Sequence, residues 1–492
     1  MPNLTRFSPH STRPAFFSWL VATIRSGPAP GFFRLMSKGR ILAVRGRRQV
    51  GKSTAVTAFV EHVDTPHAYF TGVKLAPMHR QLKTLAEAFL GSRHPVADVH
   101  LLFDTPPTTW REAFNRWVLA VRNAPVIVVL DEFPWAVEAD PSLEGELQVA
   151  WDTTLSKLPI LLILIGSDVA MMSRLVEHDR PLFGRVTPMV VPALNPAEVA
   201  QALPGRSAME IFDAYLVTGG YPRLVERCAA ARSTSAYVKA ALMDPFSDLV
   251  ISAQLVLDAE FTDAASARQV LTAIGAEAVI RPGFNDVVSA ISDPGERGAA
   301  QTAITRALKI LEGPKDLIRI EVPSGAASDS RLRRYRLTDP YLQFWFRFIA
   351  RHLEDISRSR GDIAVAAFDA NWTSWRGRAI KPHVNQALTR LGATHPALTG
   401  VQKAGAWWNR DNSLEVDIVA RTVEEIATVG TIKWRPRVGV NRTEMAKLAN
   451  ARNVIPHAGG ARLLAVCPSG LAPGASADIV MRPEDLLDAW GA

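Results

Sequence analysis

Gly46-Arg47-Arg48-Gln49-Val50-Gly51-Lys52-Ser53 is the stretch that decides the fold of this 492-residue chain. An apolar run, Ile41 to Val44, leads into it, and a mixed run, Thr54 to Val60, leaves it. That order predicts a strand, a glycine-bounded loop and a helix. The spacing fits G-x-x-x-x-G-K-[ST], a phosphate-binding loop. The glycines let successive backbone N–H groups converge on phosphate oxygens. A helix opening near Lys52 adds the positive end of its dipole. Lys52 is the candidate contact to the β- and γ-phosphates of ATP, and the Ser53 hydroxyl is the candidate Mg²⁺ ligand. Gly46, Arg47, Arg48, Gln49, Val50, Gly51 and Thr54 complete the expected cradle. An ordinary βα turn would not need Lys and Ser at those places.

Downstream, Val126 to Leu130 is wholly apolar and ends in Asp131-Glu132. A run buried on both faces is what a central parallel strand looks like. Acids at its carboxyl end sit where ligands bind in such sheets. Asp131 is the expected second Mg²⁺ ligand, and Glu132 the expected group that polarises the attacking water. Another apolar run, Ile160 to Ile165, ends in Gly166-Ser167-Asp168. Ser167 is a candidate sensor of the γ-phosphate; equally, Ser167 or Asp168 could cap a helix over Val169 to Glu177. Pro181-Leu182-Phe183-Gly184-Arg185 then precedes a strand over Val186 to Val191. An arginine fixed by a tight turn there suits an arginine finger, which neutralises charge growing on a transferred phosphoryl group. A surface arginine is the competing reading. Further elements expected are a strand over His67 to Val73 and helices over Pro77 to Leu90 and Thr109 to Val121.

The order of phosphate loop, Asp-Glu strand, Gly-Ser strand and Phe-Gly-Arg turn resembles the AAA+ class of P-loop ATPases. More narrowly, it resembles the archaeal-type ATPase family of the STAND branch, found in archaea and bacteria. The resemblance rests on Gly46 to Ser53, Asp131-Glu132-Phe133 and Pro181 to Arg185. It implies an α/β core with a five-stranded parallel sheet between helices, about residues 1–195.

From Asn195 the pattern turns helical. Tyr215-Leu216-Val217-Thr218-Gly219-Gly220-Tyr221-Pro222-Arg223 ends one helix at the glycines and starts another at Pro222. This resembles the lid of STAND ATPases, over about 196–262. The resemblance implies that Pro222 lies near the base and ribose and that Arg223 approaches the phosphates. A plain helix–helix turn explains the glycines equally well. Ala265 to Ile274, Phe284 to Ile291 and Ala300 to Leu311 predict three helices. Leu317 to Val322 and Arg334 to Leu337 predict a β-hairpin, which makes a winged helix of about 263–358. Its third helix carries Gln301, Thr305, Arg306 and Lys309, residue types that contact bases and phosphates. Arg331, Arg333 and Arg334 lie at the start of its second strand. DNA is one expected partner, and a protein contact is the other. Leu337-Thr338-Asp339-Pro340-Tyr341-Leu342-Gln343-Phe344-Trp345-Phe346-Arg347-Phe348 opens an aromatic helix that reads as core joining two domains. It too resembles a signature of the same family.

The last part, about 359–492, predicts a helix over Trp372 to Leu391 and strands over Val401 to Trp408, Leu414 to Arg421 and Glu425 to Trp434. Glu415 and Asp417 share one strand face, as do Thr431 and Lys433. Helix, three strands, acid, then x-x-Lys resembles a PD-(D/E)XK nuclease-like core. Such a core needs a Glu two residues before the Lys to hold Mg²⁺, and that place is Thr431. The helical motif Gly377-Arg378-Ala379-Ile380-Lys381 carries Lys in place of Glu. The domain therefore reads as degenerate, with Lys433 left as a phosphate contact beside Trp434, Arg435 and Arg437, and Glu415, Glu424 or Glu425 as the acids able to replace the lost ligand.

A chain of this length needs several cores. Its two cysteines, Cys228 and Cys467, form no metal or redox spacing and read as reduced core thiols of a cytoplasmic protein. Ala15 to Ile24 and Leu158 to Ile165 fall well short of the ~20 residues of a membrane span. The first reads as a helix on the core rather than a signal peptide. A formal net charge of +8 favours a polyanionic partner. The expectation is an ATP-binding, ATP-hydrolysing switch that gates a DNA or protein contact, self-association included. The rivals are an ATP-dependent nuclease and a non-hydrolysing scaffold.

Overall fold

The computed structural model describes residues 38–491, except 64, 122–123, 168, 262–264, 277–281, 293–296, 314 and 328–329. The helix expected over Ala15 to Ile24 and the candidate cap Asp168 lie outside the described residues. The chain divides into two compact units, Met1–Ala193 and Leu194–Ala492.

In the first unit, β1 (Arg40–Arg45), β2 (His67–Thr71), β3 (Val126–Asp131), β4 (Ile160–Gly166) and β5 (Val186–Val190) form one parallel sheet in the order β2-β3-β4-β1-β5. Every residue of β3 and β4 is buried. Both faces of these strands are covered, which is why their sequences are continuous apolar runs rather than alternating ones. The covering helices are α1 (Lys52–His62), α2 (Met78–Leu90), α3 (Val99–Phe103), α4 (Trp110–Val121), α5 (Phe133–Ala139), α6 (Leu143–Thr153) and α7 (Val169–Arg174). Trp110, Phe114 and Trp117 of α4 and Phe89 of α2 fill the core on one side. The α/β class and the parallel sheet are as expected. The short helices α3 and α5, and α6 with them, carry no strong periodicity and escaped the sequence.

The second unit begins with α8 (Pro196–Ala202), α9 (Ala208–Thr218), α10 (Pro222–Ala230), α11 (Thr234–Leu242) and α12 (Asp248–Glu260). Next come α13 (Ala265–Ala276), α14 (Phe284–Ile291) and α15 (Arg297–Glu312), then the antiparallel hairpin of β6 (Ile318–Glu321) and β7 (Arg334–Leu337). That is the three-helix-and-hairpin order read from the sequence. The aromatic helix α16 (Pro340–Phe348) is N-capped by Asp339 and buried along most of its length. Its Phe344 and Phe348 pack on Phe368, Trp372 and Trp375 of α18 (Gly361–Ala379), which follows the short α17 (Leu353–Ser357).

One long helix was expected over Trp372 to Leu391. The chain instead breaks at Ile380 between α18 and α19 (Lys381–Leu391), because Pro382 is accommodated only in a helix's first turn. Beyond it, β8 (Lys403–Trp408), β9 (Glu415–Arg421), β10 (Ile426–Ile432), β11 (Arg462–Val466) and β12 (Ile479–Met481) form a mixed sheet in the order β12-β11-β10-β9-β8. The first three strands are antiparallel, and β10, β11 and β12 are parallel. Helices α20 (Arg442–Val454) and α21 (Pro483–Leu487) complete the domain. Among the described residues no helix is long and apolar enough to cross a membrane.

Candidate functional site

The phosphate loop leaves β1 at Arg45 and enters α1 at Lys52. Gly51 is left-handed at φ 81°, where a side chain would be strained. A Cβ on Gly46 would lie 2.4 Å from the Val191 carbonyl oxygen, so only glycine lets the loop pass there. Val50 is buried and anchors the turn, while Arg47 and Arg48 are half-buried and Gln49 and Thr54 are exposed. Lys52 is buried; its ammonium donates to the Gly46 carbonyl at 2.7 Å and to the Arg47 carbonyl at 2.9 Å. The cation is therefore held inside the loop rather than spread into solvent.

The strand order puts β4 between β1 and β3. The loop and the Asp131-Glu132 pair thus leave the same edge of the sheet two strands apart, roughly 10 Å at ordinary strand spacing. Asp131 is buried. Its Oδ2 accepts from the Tyr69 hydroxyl at 2.8 Å and its Oδ1 from the Glu132 backbone N–H at 2.9 Å. The side chains of Thr57 and Ser53 lie in the neighbourhood of Tyr69 and oppose the shift of its phenol slightly. Burial, then the Asp131 carboxylate beside it, push the Tyr69 phenol well above its usual pKa, so it stays a donor. Tyr69 thereby holds Asp131, one of the two candidate Mg²⁺ ligands, the other being Ser53 of the phosphate loop. An oxygen-only set of one hydroxyl and one carboxylate fits Mg²⁺, which is bound by few protein groups and keeps its waters.

Glu132 sits at φ 50°, an uncommon conformation for a non-glycine residue, at the start of α5. The Ser167 hydroxyl lies 3.0 Å from both carboxylate oxygens of Glu132. Ser167 thus orients the acid from the end of the intervening strand. Its candidate partners, sensor and cap, now have a third alternative that only strand order reveals. Tyr69 was also missed. It lies on β2, beside β3, and nothing in its own neighbourhood announces that adjacency.

Arg185 is placed at the far end of the sheet. Val186 pairs with Ile41 and Val190 with Arg45, so Arg185 is level with Arg40. The phosphate loop begins after Arg45, about 17 Å along the strand. Within one chain Arg185 does not reach it. Instead it grips Asp152 with two bonds of 2.7 Å and donates to the Phe183 carbonyl at 2.9 Å. The guanidinium holds the Asp152 carboxyl below its usual pKa.

In the second unit the glycine pair has a packing role. Gly219 and Gly220 are both left-handed, at φ 60° and 73°. A Cβ on Gly220 would meet the Leu194 carbonyl oxygen at 1.9 Å. Tyr221 donates to Asp339 at 2.6 Å, tying this turn to the cap of α16. Pro222 opens α10 as expected. Arg223 and Arg227 both pair with Asp248.

On the C-terminal sheet, the Lys381 ammonium lies 2.5 Å from Asp417 Oδ1 and 3.8 Å from Glu415 Oε1. Asp417 Oδ2 accepts from the Ile432 N–H at 2.9 Å and from the Thr431 hydroxyl at 3.3 Å. Glu415 Oε2 accepts from Arg334 at 2.7 Å. Both acids are neutralised by the chain's own cations. Two expectations need correcting. Trp434 is buried in an edge-on contact with Phe212, and Lys433 and Arg435 stand beside each other but both face Glu444, at 3.9 and 2.8 Å, rather than standing free for a phosphate. Glu424 and Glu425 lie in the β9–β10 turn, six or more residues from Thr431 along the strand and ~20 Å away. Among the described residues no cluster of three or more His, Cys, Asp or Glu could hold a metal.

A family model described as archaeal and bacterial proteins of unknown function matches residues 345–448, from the aromatic helix into α20. A protein of Methanocaldococcus jannaschii, named only as uncharacterised, is 21% identical over 397 residues, which is 80% of this chain and 82% of that protein. Among solved structures, the Walker-type ATPase PABY2304 of Pyrococcus abyssi is 16% identical with a TM-score of 0.43, covering 62% of this chain and 90% of its own. The ORC2 protein of Aeropyrum pernix, solved in ADPNP–ADP complexes, is 17% identical with a TM-score of 0.44, covering 72% and 94%.

Proposed function

We propose that this protein is an ATP-binding and ATP-hydrolysing switch of the AAA+/STAND kind that gates a DNA or protein contact. One observation carries the reading: Tyr69 holds Asp131 and Ser167 holds Glu132 at the end of β3, at the same end of the parallel sheet as the phosphate loop that leaves β1. Gly46 to Thr54 wrap the phosphates, and Lys52 turns from the loop carbonyls to the β/γ-phosphates. Ser53 and Asp131 would hold Mg²⁺, which when bound would supply neutralisation of phosphate charge. Glu132 takes the proton of the attacking water, and Ser167 fixes its carboxylate. Because Arg185 lies at the opposite end of its own sheet, it acts as a finger only on the site of a second copy.

The proposed division is an ATPase core to about 195, a lid to 262, a winged helix with its aromatic helix to 358, and a degenerate nuclease-like domain. The last binds or docks and does not cut, since Lys381 sits on Asp417 where a metal would be needed. The test is steady-state ATP hydrolysis by the purified chain with and without double-stranded DNA. Hydrolysis that DNA changes supports the switch. Binding without hydrolysis under either condition overturns it in favour of a scaffold.

A further inference from the structure

A cleft of about 870 Å³ opens between the β6–β7 hairpin and the β8–β9 hairpin. Four arginines line it, Arg331, Arg333, Arg334 and Arg410, against two acids, Asp286 and Glu415. Both acids are already engaged. Asp286 accepts from the Gly283 N–H at 2.7 Å, and Glu415 accepts from Arg334 and faces Lys381. Arg334 forms the floor: its guanidinium stacks 4.2 Å over the Trp408 ring and bonds Asn412 at 3.0 Å. That stacking fixes Arg334 and joins the two hairpins. Arg331 and Arg410 differ from it. Both are exposed, and neither makes an ion pair or side-chain hydrogen bond among the described residues.

A second concavity, of about 530 Å³, is lined by Gln301, Thr302, Thr305, Arg306 and Lys309 of α15 together with Phe284. Phe284 also lines the arginine cleft. Phe284 thus borders both concavities. A ligand carrying evenly spaced negative charge and long enough to lie on α15 passes Phe284 into the arginines.

We propose that the cleft between the two hairpins is a phosphate-backbone site for duplex DNA, built jointly by the winged helix and the C-terminal sheet. Arg331 and Arg410 contact phosphates from opposite walls, and Arg334 sets the floor between them. This commits the DNA arm of the functional reading to a surface, and it does not depend on the ATP site. It also gives the C-terminal domain a use for Arg410 in place of cleavage.

The test is fluorescence-anisotropy titration of the full chain, without nucleotide, against a labelled duplex of about 30 base pairs over a range of salt. Arg331→Ala/Arg410→Ala should weaken binding and flatten the slope of log affinity against log salt by about two units, one per phosphate contact. Arg331→Lys/Arg410→Lys should keep the slope. Both positions are exposed, and circular dichroism and melting would confirm an unchanged fold. Wild-type affinity and slope in the alanine variant would overturn the cleft. If Arg306→Ala/Lys309→Ala then still weakened binding, contact through α15 would stand without it. Absence of duplex binding by the wild type at low salt would overturn both DNA surfaces. None of these results bears on hydrolysis, which is measured separately.

Discussion

Two strands in this protein bring carboxylates to one place, and they are finished in opposite ways. At the end of β3, Asp131 and Glu132 are held by neutral donors: the Tyr69 hydroxyl, the Glu132 N–H and the Ser167 hydroxyl. On β9, Asp417 and Glu415 are held by cations, Lys381 and Arg334. A hydroxyl orients a carboxylate and leaves its charge in place. An ammonium at 2.5 Å cancels that charge, and a cation brought into the same pocket would be repelled. The difference teaches that acid spacing alone does not make a metal site; what surrounds the acids decides it. Predictions can be set against that contrast, largest first.

The largest effect belongs to a residue outside both clusters. Arg185→Ala should leave ATP affinity nearly intact and cut turnover by ~10³-fold, as for other fingers. Since Arg185 is remote from its own loop, turnover per chain should rise with protein concentration in the wild type. A variant with wild-type turnover would reduce Arg185 to its ion pair with Asp152. Next comes the acid that neutral donors leave reactive. Glu132→Gln should bind ATP and hydrolyse it ~10²-fold more slowly, as expected of a lost base. Unchanged turnover would show that another group activates the water.

Smaller still is the effect of the orienting hydroxyl. Tyr69→Phe keeps the ring and removes the hydroxyl that holds Asp131. The Mg²⁺ concentration for half-maximal hydrolysis should rise by ~10-fold, the lower end for lost outer-shell partners. A Mg²⁺ requirement identical to wild type would make Tyr69 a packing residue only. On the other strand, Lys381→Ala should cost stability rather than activity. It leaves Asp417 without its cation while Glu415 keeps Arg334, and a partly exposed pair should give ~1–2 kcal/mol, below the value for fully buried pairs. Denaturant unfolding reads it. A variant as stable as wild type, or wild-type protein that cleaves DNA with Mg²⁺ or Mn²⁺, would break the contrast.

Much of this was legible in the chain because its signals are local. The Gly46 to Ser53 spacing and the apolar runs ending at Asp131 and Ser167 each sit within a few residues of their consequence, while Lys381 and Thr431 stood out only against the nuclease-like pattern and act on Asp417, distant along the chain. What stayed hidden depends on strand order. That β4 lies between β1 and β3 gives Ser167 its hold on Glu132, and that β2 lies beside β3 gives Tyr69 its hold on Asp131. No spacing within one segment states either. The end of the sheet at which Arg185 sits follows from parallel pairing of β5 with β1, again a property of topology. Strands β11 and β12 were missed for another reason: they are short, five and three residues, and separated by a long loop.

The claim on which the rest depends is that the loop from Gly46 to Ser53 binds ATP through Lys52. Isothermal titration of Mg·ATP into the wild type and into Lys52→Ala tests it directly. The wild type should bind one nucleotide per chain, and the variant should show no binding heat, because Lys52 is the cation that the loop holds against its own carbonyls. An unchanged affinity in Lys52→Ala would contradict the assignment of the loop.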